Sequence, residues 1–381
     1  MRSYIVLGVM SFTVAVLGGG GSPTQAVTRE TELLFRCHMH ARAPYLCDVV
    51  PACDRDQKLA RMRLDGAYRC VRELLRCDLR ARLNFPAGEA CMEHAAERCA
   101  YAQQDQEQFL TIMGSDQRLG LELACAEVNL DTEFLGTWIG LGYALDAATC
   151  DGEFGMSLAD PADYIGCADR YVTRLHAQLF SAFAPRGQGL LEDNGWCRLF
   201  PEEGVNPVMC NSGLVISPSV PQSVVPQGTV GRLRRCQHQL FSLIVKRVLD
   251  SHLDLLENCA EAYLNCNLKQ ARGDLGVAYD LCISDASGAC TKFRAGRDRR
   301  ISSAVRRMNN ACGVVTFEDV SDVLGFVDVA SSCGADTVEE LVECVVAKAP
   351  CLAWDIVRFV EPRMLDDVPA GFLSDYGSCG Q

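Results

Sequence analysis

The cysteines of this chain fall into two sets that share one order and nearly one spacing. Eight positions in the first half have counterparts 177 to 191 residues further on. The two sets are Cys47, Cys70, Cys77, Cys91, Cys99, Cys125, Cys150 and Cys167, followed by Cys236, Cys259, Cys266, Cys282, Cys290, Cys312, Cys333 and Cys344. Because the order is kept, the pattern predicts two homologous, disulfide-stapled modules that arose by internal duplication.

Other residues keep the same spacing. Leu141-Gly142-Tyr143 recurs as Leu324-Gly325-Phe326, and Pro185-Arg186 recurs as Pro362-Arg363. Asp160 to Asp163 and Thr337 to Glu340 also correspond, and each pattern is typical of a helix start with an N-cap oxygen and an acid three residues later. Cysteines alone could align by accident, so these further matches favour duplication.

The first 26 residues have the features of a secretory signal peptide. Arg2 precedes an apolar run over residues 4–17, and Thr24-Gln25-Ala26 has small residues where signal peptidase reads. Cleavage after Ala26 leaves all 22 cysteines in the mature chain, and an even count favours disulfides in an oxidising compartment. We therefore expect a secreted or periplasmic protein with no transmembrane segment after signal removal.

An uncharged stretch separates the two sets. Residues 204–231 contain four prolines and no charged side chain, which is typical of a semi-extended linker. The predicted organisation is a first module over 27–193, a linker over 194–235 and a second module over 236–381. Cys197 and Cys210 lie in the linker and are expected to be disulfide-bonded.

The fold class follows from periodicity. Val338, Leu341, Val342 and Val345 share one helical stripe, residues 54–82 contain no proline, and strand alternation is nowhere sustained. Each module should therefore be all-α. The formal net charge of −13 argues against general binding to nucleic acid, because an acidic protein repels the phosphate backbone.

Helix geometry selects some of the disulfide pairs. Cys70 and Cys77 share a helix face but stand about 10.5 Å apart along the axis, too far to bridge each other. Cys91 and Cys99 have a similar spacing on the next helix, so two antiparallel helices predict nested pairs. The predicted pairs are Cys70–Cys99 and Cys77–Cys91, with Cys259–Cys290 and Cys266–Cys282 in the second copy. The other four positions of each module allow three pairings, and spacing does not choose among them.

No catalytic, metal or cofactor site is predicted. The Cys37-His38-Met39-His40 segment could hold Cu or Zn, but a disulfide at Cys37 beside two exposed histidines is the favoured interpretation. Motifs of serine hydrolases, phosphate loops and covalent haem are absent. Trp138, Trp196 and Trp354, with Tyr143 and Phe326, could line an apolar cavity between helices, although core packing is the simpler interpretation.

One basic stretch stands out in the second module. It comprises Lys292, Arg294, Arg297, Arg299, Arg300, Arg306 and Arg307. Arg299 and Arg306, like Arg300 and Arg307, are seven residues apart and so lie along one side of a helix. This stripe could bind anionic lipid headgroups, lipopolysaccharide phosphates or an acidic protein, while a solvated helix face remains the simpler alternative. The corresponding helix of the first copy has only Arg118.

The second copy resembles a known group of proteins. Cys236-Gln237, Ala311-Cys312-Gly313-Val314, Leu324-Gly325-Phe326, the segment 337–345 and Pro362-Arg363 resemble uncharacterised cysteine-rich repeat proteins exported by some Gram-negative bacteria. The resemblance covers about residues 236–368 and more loosely 47–193, and it implies no known activity.

Together these features predict a non-catalytic binding or envelope-interaction protein whose partner is a protein or a cell-envelope surface. A carrier of an apolar ligand or lipid is the alternative, and an enzyme without a recognisable motif is a further one.

Overall fold

The computed structural model describes residues 29–42, 59–82, 85–136, 140–187, 190, 227–273, 278–360, 363 and 367–379. Every regular element in these ranges is helical, so the predicted all-α class is confirmed. The signal peptide predicted over 1–26 lies outside the described residues, as do Cys197 and Cys210. No helix within the described ranges is long and apolar enough to cross a membrane.

The described α-helices form two sets of five. The first set is α1 (Arg29–Arg42), α2 (Leu59–Ala81), α3 (Phe85–Cys125), α4 (Ala144–Phe154) and α5 (Tyr164–Phe183). The second is α6 (Gln227–Leu243), α7 (Asp250–Ala271), α8 (Tyr279–Cys312), α9 (Val327–Cys333) and α10 (Val338–Val360). A π-helical segment, Ile244–Leu249, joins α6 to α7 without a break. The second half is therefore already helical at Gln227, before the boundary predicted at Cys236.

Both predicted helix starts are confirmed. The Asp160 carboxylate accepts hydrogen bonds from the backbone N–H groups of residues 162 and 163, and the Asp163 carboxylate accepts one from the backbone N–H of Asp160. At the start of α10, the Thr337 hydroxyl accepts from the Glu340 backbone, and the Glu340 carboxylate accepts from the Thr337 backbone. These reciprocal bonds satisfy N–H groups that a helix end leaves unpaired. In the first turns of α10, Leu341, Val342 and Val345 are fully buried, as the apolar stripe in the sequence predicts.

Disulfides join the helices of each half in the same way. The structure has the nested pairs that helix spacing predicts, Cys70–Cys99 and Cys77–Cys91 between α2 and α3, and Cys259–Cys290 and Cys266–Cys282 between α7 and α8. It also resolves pairings that spacing left open: Cys37–Cys125, Cys150–Cys167, Cys236–Cys312 and Cys333–Cys344. A further bridge, Cys351–Cys379, ties the C-terminal segment to α10.

One predicted correspondence is wrong. The sequence pairs Cys47 with Cys236 as equivalents, but in the structure Cys37 bonds Cys125 from α1 as Cys236 bonds Cys312 from α6. The reason is an insertion. Cys37 and Cys70 are 33 residues apart, whereas Cys236 and Cys259 are 23 apart, so the first half has ten extra residues between these positions. Cys47 lies between Cys37 and Cys70 in the chain, outside the described residues.

The two halves pack against each other through equivalent helices. Helix α5 contacts its counterpart α10, and the contacts of α2 with α6 are matched by contacts of α1 with α7. At one of these crossings, Tyr68 stacks on Phe241 with ring centroids 4.2 Å apart, and its hydroxyl hydrogen-bonds His238 Nδ1 at 2.7 Å. At another, the Tyr164 hydroxyl donates to the Phe359 carbonyl oxygen at 2.8 Å. The contacts between the halves are therefore reciprocal, since the pairing of α2 with α6 is matched by that of α1 with α7.

The repeated arginine of each half contacts the repeated glycine of the other. Arg363 packs on Gly142 and donates to the Gly140 carbonyl oxygen at 2.8 Å, while the backbone of Arg186 lies against Gly325. Both glycines have positive φ, +80° and +77°, which other residues adopt only with strain. Residues that the sequence marks as repeated therefore form the contact between the halves.

Arg186 and Arg363 each form an ion pair with an aspartate, but the aspartate lies at a different position in each half. Arg186 pairs with Asp78 on α2, with 2.7 Å between guanidinium nitrogen and carboxylate oxygen. The position equivalent to Asp78 is Asn267, which instead donates to Asp367 at 2.7 Å, and Asp367 pairs with Arg363 at 3.1 Å. In the second half the charge of buried Arg363 is therefore balanced by Asp367, because a buried arginine needs an anionic partner.

Replacing Gly142 with alanine should destabilise the protein more than the same change at Gly273. Both glycines have φ near +80°, so both variants incur backbone strain of about 1–2 kcal/mol. A Cβ at position 142 would lie 2.6 Å from Arg363 Cγ, whereas one at 273 would meet nothing within 4 Å. We expect Gly142→Ala to lower the free energy of unfolding by about 1 kcal/mol or more beyond Gly273→Ala, measured by urea unfolding. Equal losses would show that the contact between the halves adds nothing.

Peptide mapping under non-reducing conditions should recover Cys37 linked to Cys125 and Cys236 linked to Cys312. Breaking the second bridge by the Cys236→Ser, Cys312→Ser double change should cost about 2–4 kcal/mol of stability, because the bridge restricts the unfolded chain. A peptide joining Cys47 to Cys125 would instead show that Cys47 is the equivalent of Cys236, as the sequence spacing predicts.

Candidate functional site

A groove in the second half concentrates positive charge on the surface. Its volume is about 450 Å³, and four arginines line it: Arg247, Arg299, Arg300 and Arg307. Leu243, Gly296, Ser303 and Ala304 complete the lining. We call this the arginine groove. It lies between α8 and the end of α6 with the π-helical segment that follows.

The sequence predicts part of this site. Of the stripe Arg299, Arg300, Arg306 and Arg307, three residues line the groove, and Arg306 does not. The side chains of Arg306 and Arg307 leave the helix about 100° apart, and of these two only Arg307 lines the groove.

Arg247 also lines the groove but is not among the residues that the sequence predicts; it belongs to the π-helical segment Ile244–Leu249. Such segments are rare and often occur at functional sites. The available signal was the pair Lys246-Arg247 within an apolar run, but only the structure places that run opposite α8.

The groove is only partly neutralised by the protein itself. Arg300 pairs with Asp254 on α7, with 2.6 Å between nitrogen and oxygen. Arg299 donates to the Ala295 carbonyl oxygen of its own helix at 3.2 Å. Neither Arg247 nor Arg307 has an ion-pair partner among the described residues, and both are exposed. An anion entering the groove therefore meets guanidinium groups that are free to bind it.

Other members of the basic stretch serve the fold. Arg297 is buried and pairs with Asp375 at 2.7 Å and with Asp298 at 2.8 Å. Arg294 donates to the carbonyl oxygens of Gly371 and Phe372. These arginines hold the C-terminal segment against α8, so the basic stretch divides between a structural side and the groove.

The segment Cys37-His38-Met39-His40 is not arranged as a metal site. Cys37 is disulfide-bonded, and His38 is buried with its Nδ1 3.1 Å from the Tyr143 hydroxyl. The prediction that both histidines are exposed is therefore wrong for His38, although it holds for His40. Within the described ranges, no group of three or more His, Cys, Asp or Glu residues could hold a metal ion.

The aromatic residues considered as cavity lining pack against other rings. Tyr143 stacks on Phe134 with centroids 4.5 Å apart, and Trp354 stacks on Tyr376 at 5.7 Å. Phe326 is fully buried in the core. Trp138 and Trp196 lie outside the described residues. The described members of this set thus act as core residues.

Asp146 and His252 have strongly shifted pKa values, and neither lines the groove. Burial raises the pKa of Asp146 well above its ordinary value, with Arg358 opposing the shift. Burial also lowers the pKa of His252 to about 4, helped by Arg297, while its Nδ1 stays 2.8 Å from the Tyr376 hydroxyl. Both groups are enclosed by packed helices, so a substrate in the arginine groove would not reach them.

Comparison with known proteins finds no family model, no curated protein and no solved structure that matches this chain. Any functional assignment therefore has to rest on the site itself.

Stability should fall on acidification through His252. The unfolded histidine titrates near 6.5 and the folded one near 4, so between these values the unfolded state binds the extra proton. This residue should therefore contribute a loss of about 1.4 kcal/mol per pH unit as the pH falls from about 6.5 to about 4.

The measurement is urea unfolding at about pH 7 and about pH 5. His252→Gln, which can still hydrogen-bond Tyr376, should lose this part of the pH dependence. An unchanged slope in the variant would mean that His252 is not the group responsible.

Proposed function

We propose that this protein is a secreted or periplasmic, non-catalytic binding protein that contacts an anionic component of the cell envelope through the arginine groove. The observation that carries the proposal is the convergence of four arginines from two separate segments, of which one has a carboxylate partner within the described residues. Guanidinium groups suit phosphate and carboxylate recognition because their planar forks donate two hydrogen bonds at once.

Because the whole chain is negatively charged, binding of an anion depends on the arginines of the groove. The protein is acidic overall, with a formal net charge of −13, so general attraction does not bring it to anionic surfaces. At physiological ionic strength charges beyond about 8 Å are largely screened, so the local arginines determine what binds. An anionic ligand would be recognised at this one place.

The disulfides support export. Nine bridges join described cysteines, a density expected in an oxidising compartment and rare in the cytosol. A non-catalytic role is supported by the position of Asp146 and His252, since catalytic groups with perturbed pKa values are expected in a cleft. The resemblance to exported cysteine-rich repeat proteins remains a prediction consistent with this proposal.

Binding should depend on Arg307 but not on Arg306. These neighbours on α8 are both exposed, so the changes Arg307→Glu and Arg306→Glu alter the net charge equally, but only Arg307 lines the groove. We expect Arg307→Glu to weaken binding to phosphatidylglycerol vesicles by about tenfold or more, because a charge-assisted hydrogen bond contributes about 1.5–3 kcal/mol. Arg306→Glu should change it by less than about threefold.

The readout is co-sedimentation with phosphatidylglycerol vesicles at physiological salt, with phosphatidylcholine vesicles as the uncharged comparison. Asp254→Asn should tighten binding, because it removes the carboxylate that competes for Arg300. Equal losses from the two charge reversals, or no preference for the anionic vesicles, would rule out the groove as the binding site.

A further inference from the structure

The shape and lining of the arginine groove narrow its ligand further, and the following inference rests on the function proposed above. With Asp254 included, four arginines and one aspartate leave a formal charge of +3 at the groove. A single carboxylate would leave most of these guanidinium groups without a partner. A ligand with one or two phosphates matches the charge, and each phosphate offers several oxygens to guanidinium forks.

The groove has room for a ligand larger than a phosphate. Its volume of about 450 Å³ falls within the range of small-molecule sites, roughly 300–1,000 Å³. Buried Leu243 and Ala304 give it a small apolar floor, and Ser303 adds a hydroxyl. The lining contains no aromatic residue, so a nucleobase has no ring on which to stack. A sugar ring fits this combination, with its C–H face on the floor and its hydroxyls near Ser303 and the guanidinium groups.

Gly296 leaves the groove open. It lies within α8 among the lining residues, and a Cβ at this position would meet nothing within 4 Å. After proline, glycine is the least favourable residue in a helix interior. The stability of α8 therefore does not explain why position 296 is a glycine. Its effect is to let a ligand approach the helix backbone between Arg299 and the opposing wall.

We propose that the arginine groove binds a phosphorylated saccharide, with the phosphate held by the arginines and the sugar ring over Gly296 and Ala304. Two sources share this chemistry, a soluble sugar phosphate and the headgroup of a phosphorylated glycolipid. The experiment therefore includes both.

The first measurement is isothermal titration of the full mature protein with glucose 1,6-bisphosphate, glucose and pyrophosphate at physiological salt. We expect the bisphosphate to bind at least about tenfold more tightly than pyrophosphate, which also carries two phosphate groups, and glucose to show no binding. Equal affinities for the bisphosphate and pyrophosphate would overturn the saccharide part of the proposal, because the groove would then be only an anion patch.

Gly296→Leu tests the position without changing any charge. A leucine side chain would fill the groove, so binding of the bisphosphate should be lost. Gly288→Leu is the matched control, because Gly288 is also in α8, has open space around its Cβ and does not line the groove. Both changes replace a helical glycine, so both should keep or raise the thermal unfolding midpoint. If Gly296→Leu binds as well as Gly288→Leu, the groove is not the saccharide site.

Vesicles separate the two sources and the two proposals. Phosphatidylcholine vesicles doped with a diphosphorylated disaccharide lipid should bind more tightly than the soluble bisphosphate, and Gly296→Leu should abolish the difference, if the ligand is a glycolipid headgroup. Equal or weaker binding to these vesicles assigns the groove to soluble sugar phosphates. If phosphatidylglycerol vesicles bind through Arg307 while neither phosphorylated saccharide binds, the saccharide inference fails and the broader proposal of anion binding stands.

Discussion

Two disulfides fix the helix pair on which the arginine groove depends. Cys236–Cys312 and Cys259–Cys290 join α8 to α6 and to α7, on either side of the π-helical segment that connects these two helices. On α8 these bridges are 22 residues apart, or about 33 Å of helix, and the groove residues lie between them. The helices cannot slide or separate, so guanidinium groups that would repel one another are held together. A site built from like charges needs such a constraint, because the repulsion has to be borne by the fold.

The π-helical segment explains why the groove has two charged walls. An extra residue in the helical turn shifts the side chains that follow it relative to a regular α-helix. In this segment Lys246 and Arg247 are exposed to solvent. The other four residues, Ile244, Val245, Val248 and Leu249, are buried. The exposed pair interrupts an otherwise apolar surface at the point where α8 passes. The opposing arginines of α8 come from the ordinary helical repeat, so regular and irregular helix geometry each supply one wall.

The sequence predicts what local geometry determines. Seven-residue cysteine spacing leads to the nested bridges, and an N-cap oxygen with a following acid leads to the helix starts at Asp160 and Thr337. Prediction from the sequence fails where a contact depends on the length of the intervening chain or on which helices pack together. A constant offset assigns Cys47 the position that Cys37 occupies, because it cannot locate an insertion of ten residues. Arg247 was missed for the second reason, since nothing local to it specifies the helix that packs opposite.

The exchange of arginine and glycine between the halves limits how the molecule can vary. Arg363 needs the open backbone at Gly142, and the chain at Arg186 needs it at Gly325, so a change on one side requires an answering change on the other. The outward faces are under no such mutual requirement. Helix α3 has two arginines where α8 has six, and both are paired: Arg98 with Glu73 and Arg118 with Asp163. The two halves therefore share the inward contact but differ in the charge of their outward faces, so a change at the arginine groove needs no matching change in the first half.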